Sequence, residues 1–368
     1  MKLLHSADLH LDSPFEALGA GKAAMRRGEQ RELLSRLAAL AREERVDLVL
    51  LAGDLLDSDK PYFETGEELV RCLALMRVPV FIAPGNHDFY TPKSLWSRLK
   101  LPDNVFLFTE NEMRRFDLPE LGVRVYGAAF TDRHSGPLLR DFCAPRQEGI
   151  TNLLCLHGEL GRADSPYDPI TEEELSSSGI DYAALGHIHR ASGLQRAGQT
   201  WYAWPGCPEG RGFDETGEKT VSLVTLEGES CTLETRSIAL RHYETLRVDV
   251  TGTDPLLAVH TSLPDETVSD IYRIVLTGET DDSPDLRHLQ EALGELFFEL
   301  QLRDETHPRL SLWERAGDDS LRGLFLKKLH ARYERARDET ERRQIEQAAR
   351  WGLAALDRRE EVTRHEDP

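Results

Sequence analysis

The sequence predicts an α/β protein, a two-sheet sandwich flanked by helices, with a small α/β module and a pair of C-terminal helices appended. Five short runs rich in Val, Ile, Leu and Ala, at 2–10, 46–54, 78–88, 151–159 and 181–189, each end in polar residues with Gly nearby. Runs that short and that apolar read as strands buried on both faces. Between them apolar residues recur at helical spacing, and beyond residue 240 a second series of alternating and helical stretches begins.

KLLHSADLH (2–10) is the first strand and the loop after it. Leu33, Leu34, Leu37, Leu40 and Ala41 mark a helix over 29–45, VDLVLLAGD (46–54) is the second strand, and Leu69, Cys72, Leu73 and Met76 mark a helix over 65–77. VPVFIAPGNHD (78–88) continues this βα order. Strand-like runs at 105–108, 123–130, 200–204, 221–226 and 231–238 are expected to supply the second sheet. The stretch 131–149, with Gly, Pro and mixed charge, reads as a loop bordering a cleft. The stretch 204–219, dense in Gly and charge, reads either as a loop approaching the site or as a turn-rich connector.

The five runs end in Asp8 and His10, Asp54, Asn86 with His87, His157, and His187 with His189. Open α/β sheets place their sites at the carboxyl ends of strands, so the five loops are expected to converge on one edge of one sheet. Imidazole, carboxylate and amide oxygen without a Cys suit Mn²⁺, Fe²⁺ or Zn²⁺ better than soft metals, and seven ligands are too many for one such ion. Two divalent ions sharing a carboxylate use them all. In this assignment Asp54 bridges, Asp8, His10 and His189 complete one ion's shell, and Asn86, His157 and His187 complete the other's. Ions roughly 3.5–4 Å apart activate a water and clamp the oxygens of an in-line displacement at phosphorus. His87 is left over. Held above the substrate phosphate, it stabilises equatorial charge or protonates the leaving alkoxide, with Asp88 expected to fix its tautomer and orientation. His5 and Asp12 flank the first motif, where they either orient a ligand or simply pack.

The series Asp8-Leu9-His10, Gly53-Asp54, Gly85-Asn86-His87-Asp88, His157-Gly158 and Gly186-His187-Ile188-His189 resembles the calcineurin-like metallophosphoesterase superfamily. HSADLHLDSPF (5–15), GDLLDS (53–58) and WPGCPEGRGFDETGEK (204–219) are similar to its SbcD and YhaO-type, Mre-like DNA repair exonuclease branch. Protein phosphatases of the superfamily usually carry Asp-Arg-Gly after the second motif and Asn-His-Glu in the third. Here Asp57-Ser58-Asp59 and Asn86-His87-Asp88 stand instead, which sets that reading behind. The resemblance implies a nuclease domain over 1–240, a capping domain over 241–309 that helps orient DNA, and a helical partner-binding segment over 310–368. It also implies Mn²⁺-dependent 3′→5′ exonuclease activity with some single-strand endonuclease action in double-strand break repair, Fe²⁺, Zn²⁺ and Mg²⁺ being the other candidate ions. The implied partners are DNA, an SbcC-like or YhaN-like SMC-type ATPase, and a second copy of the chain. No Gly-x-x-x-x-Gly-Lys-Ser/Thr loop is present, so ATP hydrolysis falls to the partner.

At 368 residues and 40% hydrophobic content the chain is long enough for two or three domains. It starts at the first strand and has no apolar run of 18 residues, so neither a secretory signal nor a membrane span is expected, and the expected location is cytoplasmic. Five cysteines with no metal spacing fit free thiols in a reducing compartment. The net charge of −20, from 45 basic and 65 acidic residues, counts against a chain that follows a nucleic-acid backbone. Two divalent ions offset part of it, and Arg26, Arg27, Arg190, Arg196 and Arg211 are candidates for local positive charge. The stretch 321–359 runs the other way, with eleven Lys or Arg against six Asp or Glu. Its pattern predicts two amphipathic helices joined near 336–340, docked either on the cap or on the partner's coiled coil. Two alternative functions stay open. One is a small-molecule or nucleotide phosphodiesterase or phosphatase, which the same ligands would serve; the other is an architectural subunit regulating an SMC-like ATPase.

Overall fold

The computed structural model describes residues 1–58, 61–161, 164–280, 282–308 and 313–356. Asp59 of the second motif and the stretches 310–312 and 357–368 of the expected partner-binding segment lie outside the described residues. The chain divides into two units: Met1–Leu246 with Leu263–Ile274 and Gln290–Gln301, and Arg247–Ser262 with Val275–Leu289 and the chain from Leu302 onward.

In the first unit, β1 (Lys2–Ser6), β2 (Leu48–Leu51), β3 (Val80–Ile82) and β4 (Val105–Leu107) lie side by side in parallel. Helices α1 (Ala20–Glu43) and α2 (Phe63–Met76) connect the first three. Successive side chains of these strands go to opposite faces: Leu48 and Leu50 join the core between the sheets, while Val49 and Leu51 pack with Leu33, Leu37, Leu69 and Leu73 of the helices. Burial on both faces is why the runs are uniformly apolar rather than alternating. Helix α1 begins at Ala20, nine residues before the expected start at 29. Its buried face continues upstream through Gln30, Arg26 and Ala23, at helical spacing but partly in polar residues, so hydrophobic periodicity does not show it.

The second sheet contains β5 (Arg114–Leu118), β6 (Val123–Gly127), β7 (Thr151–His157), β10 (Tyr182–Gly186), β11 (Gln195–Ala197) and β12 (Thr200–Ala203), in the order β11-β12-β10-β7-β6-β5. Between β7 and β10 come a short parallel pair, β8 (Glu159–Leu160) with β9 (Pro169–Ile170), and α3 (Glu172–Ser177), whose N-terminus is closed by a reciprocal Thr171–Glu174 capping box. Leu153, Cys155, Tyr182 and Ala184 face the first sheet, whereas Leu154, Leu156, Ala183 and Leu185 pack with Leu175 of α3. The arrangement is a two-sheet sandwich with helices outside.

The sheets are divided differently from the sequence expectation. β13 (Val221–Glu227) and β14 (Ser230–Arg236) extend the first sheet beyond β1, antiparallel, and 105–107 is its other edge as β4. The five ligand-bearing runs do not share one sheet: β1, β2 and β3 belong to the first, β7 and β10 to the second. A run apolar on both faces specifies burial, not which neighbour it pairs with.

After residue 240 the order is β15 (Tyr243–Asp249), α4 (Pro255–Ser262), β16 (Ile271–Thr277), α5 (Leu286–Leu293) and β18 (Glu299–Asp304), with the three strands in one sheet. The short strands β17 (Glu279–Thr280) and β19 (His307–Pro308) pair in parallel. In the second unit, α6 (Leu321–Tyr333) and α7 (Glu339–Leu356) bury Leu326 and Ala349 between them, with Phe325, Leu329 and Leu353 around. A side chain at Gly352 would strike the Phe325 ring. Leu321, Leu324 and Trp351 are left exposed, at 71%, 54% and 47%. No helix among the described residues is long and apolar enough to cross a membrane.

Candidate metal centre

The expected ligands lie at or just after the ends of the five strands, His157 closing β7 itself, and at four of these residues the backbone turns sharply. Asp8, His10, Asp54 and His187 have φ values of 54°, 45°, 50° and 93°, in the left-handed region that non-glycine residues avoid. Such residues cost of the order of 1–3 kcal/mol each and persist where surrounding bonds fix them. Here the loops fix one another. Asp8 N donates to Gly53 O (3.0 Å), His10 N to Asp54 O (2.9 Å), His87 N to Asp54 Oδ1 (2.9 Å) and His187 N to the Asp8 carboxylate (3.1 Å). Glycine is required at Gly85, where a side chain would enter the Asp54 carboxylate.

All seven expected ligands come together. Asp8, His10, Asp54 and His157 are almost wholly buried, while Asn86, His187 and His189 are half-buried. His10 Nε2 faces His189 Nε2 at 3.1 Å, with Asp54 Oδ2 3.8 Å from the former and Asp8 Oδ1 3.9 Å from the latter. Asn86 Oδ1 lies 3.0 Å from His157 Nε2 and 3.2 Å from His187 Nδ1, and Asp54 Oδ2 is 3.4 Å from His157 Nε2. Asp54 Oδ2 is thus the oxygen common to both halves.

The donor set fits cations. His10 Nδ1 lies 3.0 Å from Asp57 Oδ1 and His189 Nδ1 2.7 Å from Glu215 Oε1, so the hydrogen-bond network assigns the N–H of each ring to Nδ1. In its neutral form each ring then offers an Nε2 lone pair toward the other ring and toward carboxylate oxygens, an arrangement a positive ion would satisfy. On the other half, His157 Nδ1 donates to Ala52 O (2.9 Å), leaving Nε2 toward Asn86 and Asp54. Burial alone would lower the His157 pKa, but the Asp54 and Asp8 carboxylates outweigh it and push it up to about 9. The same carboxylates would favour a cation at this place. Burial would raise Asp54, but the His157 charge and hydrogen bond hold it well below the usual carboxylate range. His187 is pushed down to about 3 by burial and by the His157 charge, which keeps its ring neutral.

His87 is exposed at the mouth of the cluster, its ring centroid 4.8 Å from that of His10. One of its nitrogens also lies within 4.8 Å of ligand atoms of His10 and Asp54. Asp88 does not orient it. The Asp88 carboxylate is buried and accepts from Gly85 N (2.7 Å), Leu55 N (2.9 Å) and Leu56 N (3.4 Å), tying the second and third ligand loops together. Burial and the Asp54 charge push its pKa up to about 7. The partner of His87 Nδ1 is the carbonyl of Asp57, at 3.1 Å. Sequence adjacency suggested a side-chain pair, but the turn at 85–88 sends the two side chains apart.

His5 and Asp12 turn out to pack. His5 Nδ1 meets Tyr182 OH at 2.9 Å and its Nε2 meets Leu185 O at 3.2 Å, and burial pushes its pKa down to about 3. Asp12 accepts from Thr65 Oγ1 (2.7 Å) and Tyr62 N (2.9 Å), fixing the start of α2.

Asp57 and Glu215, beside the expected ligands, carry no site role in the sequence pattern, and Arg211 figures there only as a candidate for local positive charge. Asp57 and Glu215 hold the two histidines just described, and Arg211 bridges these carboxylates. Of the two readings of 204–219, the approach to the site is the one observed. Trp204 Nε1 also donates to Gly158 O (3.1 Å) and Gly186 O (2.9 Å), the backbone of two ligand loops. The signal was available in the composition, since acidic and basic residues four apart, Arg211 and Glu215, sit in a Gly-rich loop. What it lacked was the partner 154 residues away.

An open cleft of about 400 Å³ lies over Asn86 and His87, bordered by Asp57, Arg133, His134 and Tyr167. The loop over 131–149 does border it. Of the other arginines singled out, Arg26 is fully buried in ion pairs, Arg196 lies over the Trp201 ring at 4.6 Å, and Arg190 is exposed.

The chain is 29% identical over 281 residues to the uncharacterized metallophosphoesterase YhaO of Bacillus subtilis, covering 72% of this chain and 67% of that protein. It is 24% identical over 274 residues to the D component of the nuclease SbcCD of Bacillus subtilis, covering 63% and 68%. With the DNA double-strand break repair protein Mre11 of Methanopyrus kandleri it shares 26% over 225 residues, 57% of this chain and 49% of that one, so it spans about half of that relative. The family model described as calcineurin-like phosphoesterase matches residues 1–191. That span takes in over half of the chain and every one of the five ligand loops, and the chain belongs to the calcineurin-like phosphoesterase family.

Proposed function

We propose that the chain is a Mn²⁺-dependent DNA nuclease subunit that hydrolyses phosphodiester bonds as a 3′→5′ exonuclease with single-strand endonuclease action, in double-strand break repair. The observation that carries the phosphoester chemistry is the convergence of seven donor residues, with Asp54 Oδ2 common to both halves and His87 beside them at the floor of an open cleft. In this reading Asp8, His10 and His189 would hold one ion, Asn86, His157 and His187 would hold the other, and Asp54 would serve both. When bound, the two ions supply an activated water and neutralise charge on the phosphoryl oxygens. With its Nδ1–H on the Asp57 carbonyl, His87 keeps Nε2 to contact a phosphoryl oxygen or pass a proton to the leaving sugar oxygen. Asp88 acts on none of these atoms. It holds the loop from which Asn86 and His87 project.

The choice of DNA as substrate draws on similarity to the D component of the nuclease SbcCD and to Mre11, with 241–309 as capping domain. A net charge of −20 favours the second reading, a small-molecule or nucleotide phosphodiesterase. One assay separates them: Mn²⁺-dependent cleavage of end-labelled duplex DNA, closed circular single strands and a generic phosphodiester dye. Duplex shortened from its 3′ ends and opened circles are expected. Dye hydrolysis with both DNAs intact would sink the nuclease reading and leave the phosphodiesterase one.

The α6–α7 pair within 310–368, with Leu321, Leu324 and Trp351 exposed, is proposed to dock on the coiled coil of an SbcC-like or YhaN-like SMC-type ATPase. Co-purification of the two proteins is expected to be lost when residues 310–368 are removed. A complex that survives the truncation refutes the docking.

A further inference from the structure

Behind one half of the donor cluster lies a set of charges that the two-ion scheme does not use. Asp57 Oδ1 meets His10 Nδ1 at 3.0 Å and Glu215 Oε1 meets His189 Nδ1 at 2.7 Å. Arg211 spans the two: NH1 donates to the same Asp57 oxygen (3.0 Å) and NH2 to the same Glu215 oxygen (2.8 Å). Each of these oxygens thus takes one imidazole N–H and one guanidinium N–H. Two like-charged carboxylates are held at a fixed spacing by one planar fork, and that spacing sets how His10 and His189 meet. Behind the other half, among the described residues, His157 rests instead on the Ala52 carbonyl.

The loop that carries Arg211 is itself seated. Glu209 is 4% exposed and accepts from Arg26 NH1, Leu240 N and Arg241 N, each at 3.1 Å. Arg26 is wholly buried and also pairs with Glu29 at 2.6 Å. Buried ion pairs gain little over apolar packing, so their use here points to a requirement for one loop position rather than for stability.

We infer that Arg211 is a positioning residue that sets the affinity of one ion of the pair, the one held by Asp8, His10 and His189, and leaves the other ion's affinity unchanged. The inference rests on the two-ion reading proposed above. Lysine cannot replace Arg211 fully, because a single ammonium does not span two carboxylates as a guanidinium does.

The test is Mn²⁺ titration calorimetry with elemental analysis on the full chain, wild type against Arg211→Met and Arg211→Lys, with thermal unfolding of the ion-free proteins alongside. Wild type is expected to bind two ions. Arg211→Met is expected to keep one at wild-type affinity and bind the other roughly 10–100-fold more weakly, with Arg211→Lys in between. Electron paramagnetic resonance should then show the coupled Mn²⁺ pair giving way to an isolated ion. In a His189→Ala background, Arg211→Met should add no further loss. Two ions at wild-type affinity in Arg211→Met, or both weakened alike, would overturn the inference and leave the two-ion reading intact. A wild type that binds no ion removes both. Should Arg211→Met fail to fold, Arg211→Lys decides: equal affinities for both its ions overturn the inference, a selective loss supports it.

Discussion

Asp54→Asn is expected to strip both ions from the chain and to lower phosphodiester hydrolysis by roughly 10³-fold or more, the equivalent of several kcal/mol of lost charge stabilisation. The reason is geometric. Asp54 Oδ2 is 3.8 Å from His10 Nε2 and 3.4 Å from His157 Nε2, so one anionic oxygen serves both halves of the cluster. The amide keeps the acceptor for His87 N, at 2.9 Å in the native chain, so the third ligand loop should stay in place. Elemental analysis and circular dichroism together check this. A folded variant that retained two ions at wild-type affinity would remove Asp54 from the bridging role.

His87→Ala should separate binding from chemistry. Both ions are expected to remain by elemental analysis, while turnover falls about 10²–10⁴-fold, the range for loss of a positioned acid or charge stabiliser. The fall should lie in kcat, because a group acting on the leaving oxygen matters most in the transition state. The competing outcome is specific: His87 shares a 4.8 Å neighbourhood with ligand atoms of His10 and Asp54. An ion lost from the variant would therefore make His87 a ligand.

The fold and the ligands were legible in the sequence for the same reason. A strand buried on both faces must be apolar throughout, and a loop that carries a charged ligand must break that run abruptly, so Asp8, Asp54 and His157 announce themselves by contrast. Which sheet each strand joins is not written that way, since Leu50 of β2 and Leu153 of β7 look alike and face each other across one core. The supporting residues were hidden for another reason. Asp57, Arg211 and Glu215 are ordinary surface types until folding brings positions 57 and 211 within hydrogen-bond reach. The His87–Asp88 pairing failed because adjacency in a tight turn sends neighbours to opposite sides, one to the cleft and one into the core. Arg26, a candidate for local positive charge, is instead buried, because the inner face of its helix continues in polar residues.

The division of the ligand loops between two sheets makes the centre a seam. Donors at positions 8 to 86 belong to one sheet of the sandwich and those at 157 to 189 to the other. Ions held across that seam would act as a reversible crosslink between the two sheets, added to the apolar contacts and hydrogen bonds by which they already meet. Each tenfold rise in free ion above its dissociation constant would then add about 1.4 kcal/mol to the stability of the whole sandwich. Scarcity of the ion would be felt as loosening of the fold itself as well as lost catalysis, and the abundance of the chain would follow the supply of its metal.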